Sequence, residues 1–557
     1  MLHRKRLGAS VAYELDITPS GSITLFLMPH AEEVEMESSR TPLLQRINSA
    51  VFFPPAILLV IAVLIGIIYP EKLGEWAAKA LAFSVDNFSW FYNGGSALLL
   101  VFCLWATFGK PGNIVIGGPD AKPTMSTFNW FVLAWTSGLA IGAVFYCVAE
   151  PMSFFTDPPT YLGQPGGTAE AGEQALRYTF FHWAFHPYAF YTSAGLCIAF
   201  MFHNGKRSFR VSSALYPLLG DKCDGLPGHL INALAVFVLV ACLGTSLGLG
   251  TMQFAGGINY VFGTNYSSAG LWIAIIAVIC TFYITAACSG LHKGMKYLGQ
   301  LKVYMYVGLV LFVLVTGGTI FILNNTLTGI GAYFDGFIMD TFYLEPMKRT
   351  GWVGGWTIFY WAWWLTAAPI VGLFLVKLAQ GRTVRQFMLM NMLAPTLFTF
   401  LWFGVFGSAA INMEFFGDVK LSEEIANQGI QVALFALLKN LPFGFITMLI
   451  GLSMIVVSFI TMADAMTLAL ADMTAANYGE GGSPVILKIF WGGMMGLIAL
   501  ALLLSGGLKA LQTSVVVCGV PILLVQLFMA VAFVKAMLGK KQYDLVSGPQ
   551  PMANDPK

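Results

Sequence analysis

Long apolar segments separated by short polar connections recur along almost the whole chain. Each approaches twenty residues, roughly the length that an α-helix needs to cross about 30 Å of hydrocarbon. Because bare backbone cannot face lipid, we predict that these segments are helices rather than strands. The predicted spans are 50–69, 88–108, 128–148, 180–202, 230–250, 268–288, 301–323, 352–376, 391–411, 441–468, 488–504 and 513–536.

The composition agrees with this pattern. The chain has 557 residues, of which 57% are hydrophobic and only 10% are charged, whereas soluble domains carry about 25% charged residues. We therefore predict an all-α polytopic membrane protein with twelve transmembrane helices. The 30 basic and 28 acidic residues nearly balance, so the net charge indicates no particular partner.

Lysine and arginine indicate the orientation of the spans. If both termini are cytoplasmic, most basic residues fall in cytoplasmic segments, among them Lys206, Arg207, Lys293 and Arg382. Loops rich in lysine and arginine stay on the cytoplasmic side. We predict a multi-pass protein of the plasma (inner) membrane with both termini in the cytoplasm.

Two spans contain residues that interrupt helices. In the third span, Gly138, Ala140 and Gly142 alternate with apolar residues within the stretch WTSGLAIGAVFY, 135–146. Glycine costs about 1 kcal/mol relative to alanine in a helix interior, so this run favours an unwound stretch that could hold substrate or ion. Close helix packing is the alternative. The eighth span holds Pro369. The two spans lie five apart, which is consistent with two five-helix repeats, spans 3–7 and 8–12.

The eighth span also carries a dense aromatic cluster. The stretch WTIFYWAWWLTA, 356–367, lies near the middle of the span, which disfavours an interfacial aromatic belt. On a helix, Trp356, Tyr360, Trp363 and Trp364 fall on one face. Core packing and a wall that binds a cation remain as explanations.

A quaternary ammonium ion explains why such a wall would be needed. This ion has no N–H to donate, so hydrogen-bond acceptors hold it poorly, whereas aromatic faces attract it by about 2 kcal/mol or more per desolvated contact. The fourth span offers a second wall in FHWAFHPYAFY, 181–191, with Trp183, Tyr188 and Tyr191. Pro187 is predicted to kink this helix and redirect its second part.

These motifs resemble the betaine/carnitine/choline transporter family. The resemblance rests on FHWAFHPYAFY, WTIFYWAWWLTAAPIVGLF, QGRTVRQF, the VAEP turn at 148–151 and SGLHKGMKYLG at 289–299, and it extends from about residue 50 to 536. It implies a LeuT-like fold of two inverted five-helix repeats and a homotrimeric assembly. It also implies a small methylated ammonium substrate and membrane lipid as partners, and no nucleic acid.

The resemblance assigns roles to particular residues. It implies an aromatic box of Trp183, Tyr188, Tyr191 and Trp364, with Trp363 and Phe359 beside the pathway and Gly138 and Ala140 in the adjoining unwound stretch. Where betaine carriers usually have a further tryptophan this chain has Ala367, and Tyr188 stands where tryptophan is common. Both differences enlarge or polarise the site.

The coupling ion is the least determined feature. Sodium-coupled relatives usually read GMGIG in the third span, whereas this chain reads Gly138-Leu139-Ala140-Ile141-Gly142, and a pair of hydroxyl residues on the tenth span appears here as Thr461-Met462. Thr461, Thr136 and the backbone at Leu139 are the expected sodium ligands, because sodium prefers hard oxygen donors. Proton coupling and exchange are the alternatives, and no other metal or cofactor is expected.

Charged and titratable residues within the spans are functional candidates by default. Asp464 lies one turn after Thr461 on the same side of its helix. We interpret Glu150, which precedes Pro151, as a structural cap of a turn. His182 and His186 are interpreted as hydrogen-bonded core residues, with a proton relay as the alternative.

The resemblance and the spans divide the chain into segments. These are a cytoplasmic tail at 1–49, two peripheral transmembrane helices at 50–127, the first repeat at 128–323, an extracytoplasmic connection at 324–351, the second repeat at 352–536 and a cytoplasmic tail at 537–557.

Two functions of different classes fit these features. The first is a secondary active transporter that imports betaine, choline, carnitine, trimethylamine oxide or a sulfonium analogue by alternating access. The second is a sensor or receptor that binds such compounds without moving them. Sensors usually append a soluble signalling domain, and only about 50 residues precede the first span and about 20 follow the last. The sequence has no nucleotide-binding GxxxxGKS or GxxxxGKT motif and no nucleophile–base pair, so we expect neither an ATP-driven pump nor an enzyme.

Overall fold

The computed structural model describes residues 14–17, 23–26, 42–136, 141–290, 292–476 and 483–539. Two short strands, β1 (Glu14–Ile17) and β2 (Ile23–Phe26), pair in antiparallel register near the N-terminus. Helices form most of the remainder. The structure therefore confirms the prediction of a largely helical, polytopic membrane protein.

The first half of the chain contains ten helices in the described ranges. They are α1 (Ser49–Ile68), α2 (Pro70–Phe108), α3 (Thr127–Thr136), α4 (Ile141–Thr156), α5 (Ala169–Trp183), α6 (Phe185–His203), α7 (Tyr216–Leu219), α8 (Leu226–Phe262), α9 (Ser268–Ser289) and α10 (His292–Thr316).

The second half follows with seven helices in the described ranges. They are α11 (Thr319–Phe342), α12 (Phe359–Ala379), α13 (Val384–Phe416), α14 (Leu421–Gln428), α15 (Ala433–Lys439), α16 (Gly444–Thr474) and α17 (Val485–Leu538). A π-helical turn, Gly354–Ile358, leads directly into α12. The helix α13 begins with a capping box, in which Thr383 Oγ1 accepts from the backbone N–H of Gln386 and the Gln386 side chain accepts from that of Thr383.

Nine helical segments of the described chain are long and apolar enough to cross a membrane. The difference from the twelve predicted spans has three causes. In the predicted third span, residues 137–140 lie outside the described residues, so only the shorter helices α3 and α4 on either side are described. The predicted fourth span is divided between two shorter helices, α5 and α6. The predicted eleventh and twelfth spans are joined in α17, where only Gly506 and Gly507 depart from helical backbone angles.

Burial separates central helices from peripheral ones. The apolar windows of α8 and α12 are both 78% buried within the protein, whereas those of α1, α9 and α10 are 33%, 28% and 22% buried. An apolar face this exposed requires an apolar surrounding, which a bilayer supplies. The peripheral helices therefore present their exposed faces to lipid, and α8 and α12 form the centre, where α12 packs along α6 and α8 packs along α17.

Two prolines were predicted to disturb helices, and the structure agrees for Pro187 but not for Pro369. The predicted interruption of the eighth span at Pro369 is wrong, because α12 continues through this residue from Phe359 to Ala379. A proline leaves one backbone carbonyl of its helix without an N–H partner, and inside a helix bundle neighbouring groups can donate to that carbonyl instead. In the fourth span the helix breaks at Ala184 (φ −103°, ψ −119°), three residues before Pro187. Pro187 then occupies the first turn of α6, where a missing N–H costs nothing.

The connection between the two halves contains a helix that hydropathy does not predict. The helix α10 ends at Thr316, and α11 begins after Gly318, whose φ of +97° reverses the chain direction. A left-handed backbone of this kind favours glycine. The predicted seventh span, 301–323, therefore belongs to two helices, and most of the connection 324–351 is the helix α11.

A buried ion pair fastens α11 to α5. Arg177 Nε and Nη2 each lie 2.8 Å from the carboxylate oxygens of Asp340, and these side chains are 9% and 0% exposed. Tyr178 donates to the same carboxylate at 2.9 Å, and Tyr161 also binds it. Gly336, one turn before Asp340, leaves the space that the Arg177 guanidinium occupies, since a Cβ there would lie 2.1 Å from Cζ.

We expect Asp340→Asn to destabilise the protein strongly, because the substitution leaves the Arg177 guanidinium buried without its counter-charge. Removal of one partner of a buried ion pair costs about 3–5 kcal/mol. Thermal unfolding of the purified protein in detergent measures the effect as a lower Tm.

The matched control is Asp221→Asn. Asp221 lies 3.5 Å from Arg207 Nη2 but is 90% exposed, and such pairs contribute only about 0–1 kcal/mol. Its Tm should stay close to that of the wild type. Equal shifts in the two variants would contradict the assignment of Arg177–Asp340 as a stabilising link.

Candidate functional site

Three aromatic side chains from the fourth predicted span surround Trp364 at the centre of the protein. The Trp364 ring lies 5.3 Å from Trp183, 5.8 Å from Tyr188 and 5.2 Å from Tyr191, measured between centroids. The interplanar angles are 83°, 63° and 64°. Rings that meet at such steep angles form the corner of a box and leave faces free that a stacked pair would cover. The structure thus brings together the four residues predicted to form the aromatic box.

The break at Ala184 explains how these rings are held. The carbonyl of Trp183 would pair with residue 187 in a continuous helix, but Pro187 has no N–H to offer. Thr399 Oγ1 on α13 donates to this carbonyl instead, at 2.8 Å. The neighbouring carbonyl of His182 accepts from the indole Nε1 of Trp364 at 3.1 Å. The freed carbonyls of α5 therefore fix both the position of α13 and the orientation of Trp364.

Glu150 connects three residues around the box. Its Oε2 accepts from Trp183 Nε1 at 2.6 Å and from the Tyr360 hydroxyl at 2.7 Å, and its Oε1 lies 2.7 Å from His182 Nδ1. The interpretation of Glu150 as a turn cap is wrong. The residue lies inside α4, which continues through Pro151, and its side chain is completely buried.

Trp363 and Phe359 form a second aromatic layer next to the box. Their rings stack at 5.5 Å and 22°, and Trp363 meets Trp183 edge-on at 6.3 Å. The Trp363 indole donates to Ser246 Oγ on α8 at 3.2 Å. Gly142 admits the tip of this indole, since a Cβ there would lie 2.5 Å from Trp363 Cη2. The predicted neighbours of the pathway thus contact the box directly.

The aromatic residues around the box differ in solvent exposure, and the more exposed ones mark its open side. Trp183 and Tyr188 are 2% and 3% exposed and Trp364 is 9% exposed, whereas Tyr191, Trp363 and Ala367 are half-buried. Trp363 and Ala367 lie one turn apart on one face of α12. This face is the accessible side of the box.

The predicted ion ligands are only partly within the described structure. Gly138, Leu139 and Ala140 lie outside the described residues, as does the Thr136 side chain. The Thr461 hydroxyl donates within its own helix, to the carbonyls of Val457 (2.8 Å) and Ser458 (3.2 Å), so its oxygen can still accept or ligate.

The helix that carries Thr461 approaches α4 through another residue. Phe459, two residues earlier on α16, and Ile141, the first residue of α4, both approach Gly250, where a Cβ would lie 2.6 Å and 2.1 Å from them. Thr461 lies on a different face of α16 from Phe459, because two residues are about 200° apart around a helix. No group of three His, Cys, Asp or Glu in the described part of the chain is arranged to hold a metal ion.

The two histidines are core residues with hydrogen bonds. His182 uses both ring nitrogens, Nδ1 with Glu150 and Nε2 with Thr357 Oγ1 at 3.0 Å. His186 pairs its Nε2 with Thr341 Oγ1 at 3.1 Å and stacks on Trp361 at 5.1 Å. The structure agrees with the interpretation of both as buried, hydrogen-bonded residues.

Sequence reasoning missed several residues that build the site. Tyr360 was placed on the correct face of the helix, but its bond to Glu150 was not anticipated, and Thr399, Thr357 and Ser246 were not identified. A buried carboxylate in a membrane span is a signal that could have identified Glu150. The threonines and the serine carried no such signal, because hydroxyl residues are common in membrane helices.

Comparisons with known proteins agree with this geometry. Residues 50–542 match the model of BCCT, the betaine/carnitine/choline family transporter. A glycine betaine transporter of Bacillus subtilis is 37% identical over 495 residues, which cover 88% of this chain and 94% of the relative. An ectoine/hydroxyectoine transporter of Virgibacillus pantothenticus is 33% identical over 496 residues, covering 89% and 97%. An osmo-independent choline transporter of Acinetobacter baylyi is 31% identical over 505 residues, covering 90% and 95%.

The family match covers nearly the whole membrane region, including every helix that contributes to the aromatic box. The chain is an integral membrane protein that belongs to the betaine/carnitine/choline transporter family.

Proposed function

We propose that the protein is a secondary active transporter that imports a methylated ammonium compound or related zwitterion by alternating access. The observation that carries the proposal is the group of steep ring contacts that Trp364 makes with Trp183, Tyr188 and Tyr191. The methylated head group would lie in the corner that these rings form, with Trp363 and Phe359 beside its path and the stretch around Gly138 and Ala140 next to it.

The chemistry of the corner matches such a head group. A charge spread over methyl groups is attracted by the π faces of tryptophan and tyrosine, most strongly where water is excluded. The walls are almost completely buried, and the box opens along Tyr191 and Trp363. The relatives' names include glycine betaine, choline and ectoine. Ala367 enlarges the site, so betaine, choline, carnitine, trimethylamine oxide and sulfonium analogues all belong to the proposed substrate class.

The proposed architecture follows the family. It comprises twelve transmembrane helices, a LeuT-like arrangement of two inverted repeats in spans 3–7 and 8–12, and a homotrimer in the plasma membrane with both termini cytoplasmic. A protein that binds these compounds without moving them is the alternative, and uptake into proteoliposomes distinguishes the two.

Sodium is the proposed coupling ion. Thr461 offers a hard oxygen on α16, and the Thr136 region with the backbone around Leu139 would supply the rest. Met462 replaces a second hydroxyl, and a thioether is a poor ligand for a hard cation. The proposed site therefore binds sodium weakly, and proton coupling or exchange is the alternative.

We expect Trp364→Ala to raise the apparent KM for the transported substrate at least about tenfold, because one desolvated cation–π contact contributes more than the ~1.4 kcal/mol that a factor of ten requires. Trp364→Phe should have a smaller effect, because a phenyl face remains. Radiolabelled uptake into proteoliposomes measures both values.

Trp90→Ala is the matched control. Trp90 lies on α2 and is 64% exposed, so this substitution should leave the KM unchanged. An unchanged KM in Trp364→Ala would remove the aromatic box from the proposal.

We expect uptake to depend on sodium in the millimolar range and Thr461→Ala to raise the sodium concentration for half-maximal activation severalfold. Substrate binding at saturating sodium should stay near the wild-type value. The measurement is uptake over a sodium series, with potassium as the replacement ion, fixed membrane potential and no pH gradient.

Thr281→Ala is the control, because Thr281 donates to the carbonyl one turn earlier in the same way, at 2.8 Å, on the exposed side of α9. Full uptake without sodium would exclude sodium coupling. Loss of sodium activation and substrate binding together in Thr461→Ala would place the ion site elsewhere.

A further inference from the structure

The carboxylate of Glu150 lies behind one wall of the aromatic box. It is completely buried, and its Oε2 accepts the indole N–H of Trp183 at 2.6 Å. Trp183 in turn meets Trp364 at 83° in the corner of the box. A substrate head group in the corner between Trp183 and Trp364 would therefore be separated from a buried acidic group by the Trp183 ring.

Complete burial by itself favours the neutral acid of Glu150, and the hydrogen bonds around the residue act against this effect by favouring its ionised form. The indole of Trp183 and the hydroxyl of Tyr360 both donate to Oε2. The Thr357 hydroxyl lies 3.0 Å from His182 Nε2 and can donate a hydrogen bond to it. The hydrogen of the neutral imidazole is then on Nδ1, which lies 2.7 Å from Glu150 Oε1 and can donate to it. Three donors that converge on one carboxylate stabilise its negative charge.

A negative charge at this point acts on the box in two ways. A carboxylate that accepts an indole N–H increases the electron density of the ring, and therefore strengthens the attraction of its face for a cation. The charge also attracts a cation directly across the buried ring, where water screens it little. Neither effect acts on a neutral head group of the same shape.

We propose that the charge of Glu150, acting through Trp183, makes the box selective for cationic head groups over neutral ones of equal size. Glu150 is a positioning residue in this scheme, since it lies behind the ring rather than against the substrate. The inference rests on the proposed function, because it needs the head group to bind in the corner of the box.

The test compares two ligands of the same shape in purified protein. Glycine betaine carries a trimethylammonium group, and tert-butylacetate is its carbon analogue with a neutral head and the same carboxylate; choline and its neutral carbon analogue form a second pair. Calorimetric titration gives the Kd of each ligand and thus the selectivity of each variant for the cation.

We expect Glu150→Gln to weaken binding of the cationic ligand about tenfold, as expected for the loss of one charge at this range in a partly screened interior. Binding of the neutral analogue should change less than about twofold, since glutamine keeps the shape and an acceptor for Trp183. A purely structural role of Glu150 would weaken both ligands equally, and that result would overturn the inference.

Tyr360→Phe gives a graded comparison. It removes one of the three donors that stabilise the carboxylate, so its selectivity for the cation should fall less than that of Glu150→Gln, which removes the charge altogether. A larger loss of selectivity in Tyr360→Phe than in Glu150→Gln would contradict a role of the charge.

If Glu150→Gln does not fold, Glu150→Asp tests the inference instead. Aspartate keeps the charge with a shorter side chain, so selectivity should persist even where both affinities fall; selectivity lost in Glu150→Asp would overturn the inference. The wild type separates this test from the proposed function. If wild-type protein binds the cation no more tightly than its neutral analogue, the proposed aromatic box itself fails.

Discussion

Backbone carbonyls that a broken helix frees inside a membrane must find hydrogen-bond donors, and this constraint organises the centre of the protein. Lipid offers no donor, so each such carbonyl is costly unless the protein supplies one. The break at Ala184 exposes the carbonyls of His182 and Trp183, and Trp364 and Thr399 satisfy them from two other helices. The His182 carbonyl thereby holds the Trp364 ring. The same part of the chain supplies the other three rings, those of Trp183, Tyr188 and Tyr191.

Most of the fold could be predicted from hydropathy, because spans such as α1, α8 and α13 are long, apolar and uninterrupted. The pattern failed where backbone geometry depends on packing. Pro369 was predicted to interrupt its helix and does not, whereas the helix that contains Pro187 does break, at Ala184. The helix α11 was missed because polar residues such as Asn324, Asn325 and Asp340 interrupt its apolar positions and lower its mean hydropathy.

The proximity of the four aromatic residues could be predicted, because the resemblance to the family assigns them to one site. Trp183, Tyr188, Tyr191 and Trp364 do come together. Their supports were not predictable, because a hydrogen bond such as that between Glu150 and Tyr360 joins residues far apart in the chain. Sequence spacing along one helix contains no information about such pairs.

The link between α5 and α11 has a structural consequence. Besides the Arg177–Asp340 pair, Leu176 packs so closely on Gly329 that a Cβ at the glycine would lie 2.6 Å from that of the leucine. Asn325 of α11 also donates to Ser408 of α13 at 3.1 Å. The helix α11 thus joins α5 to α13. The segment between the two halves of the chain is therefore a packed part of the helix bundle rather than a loose linker.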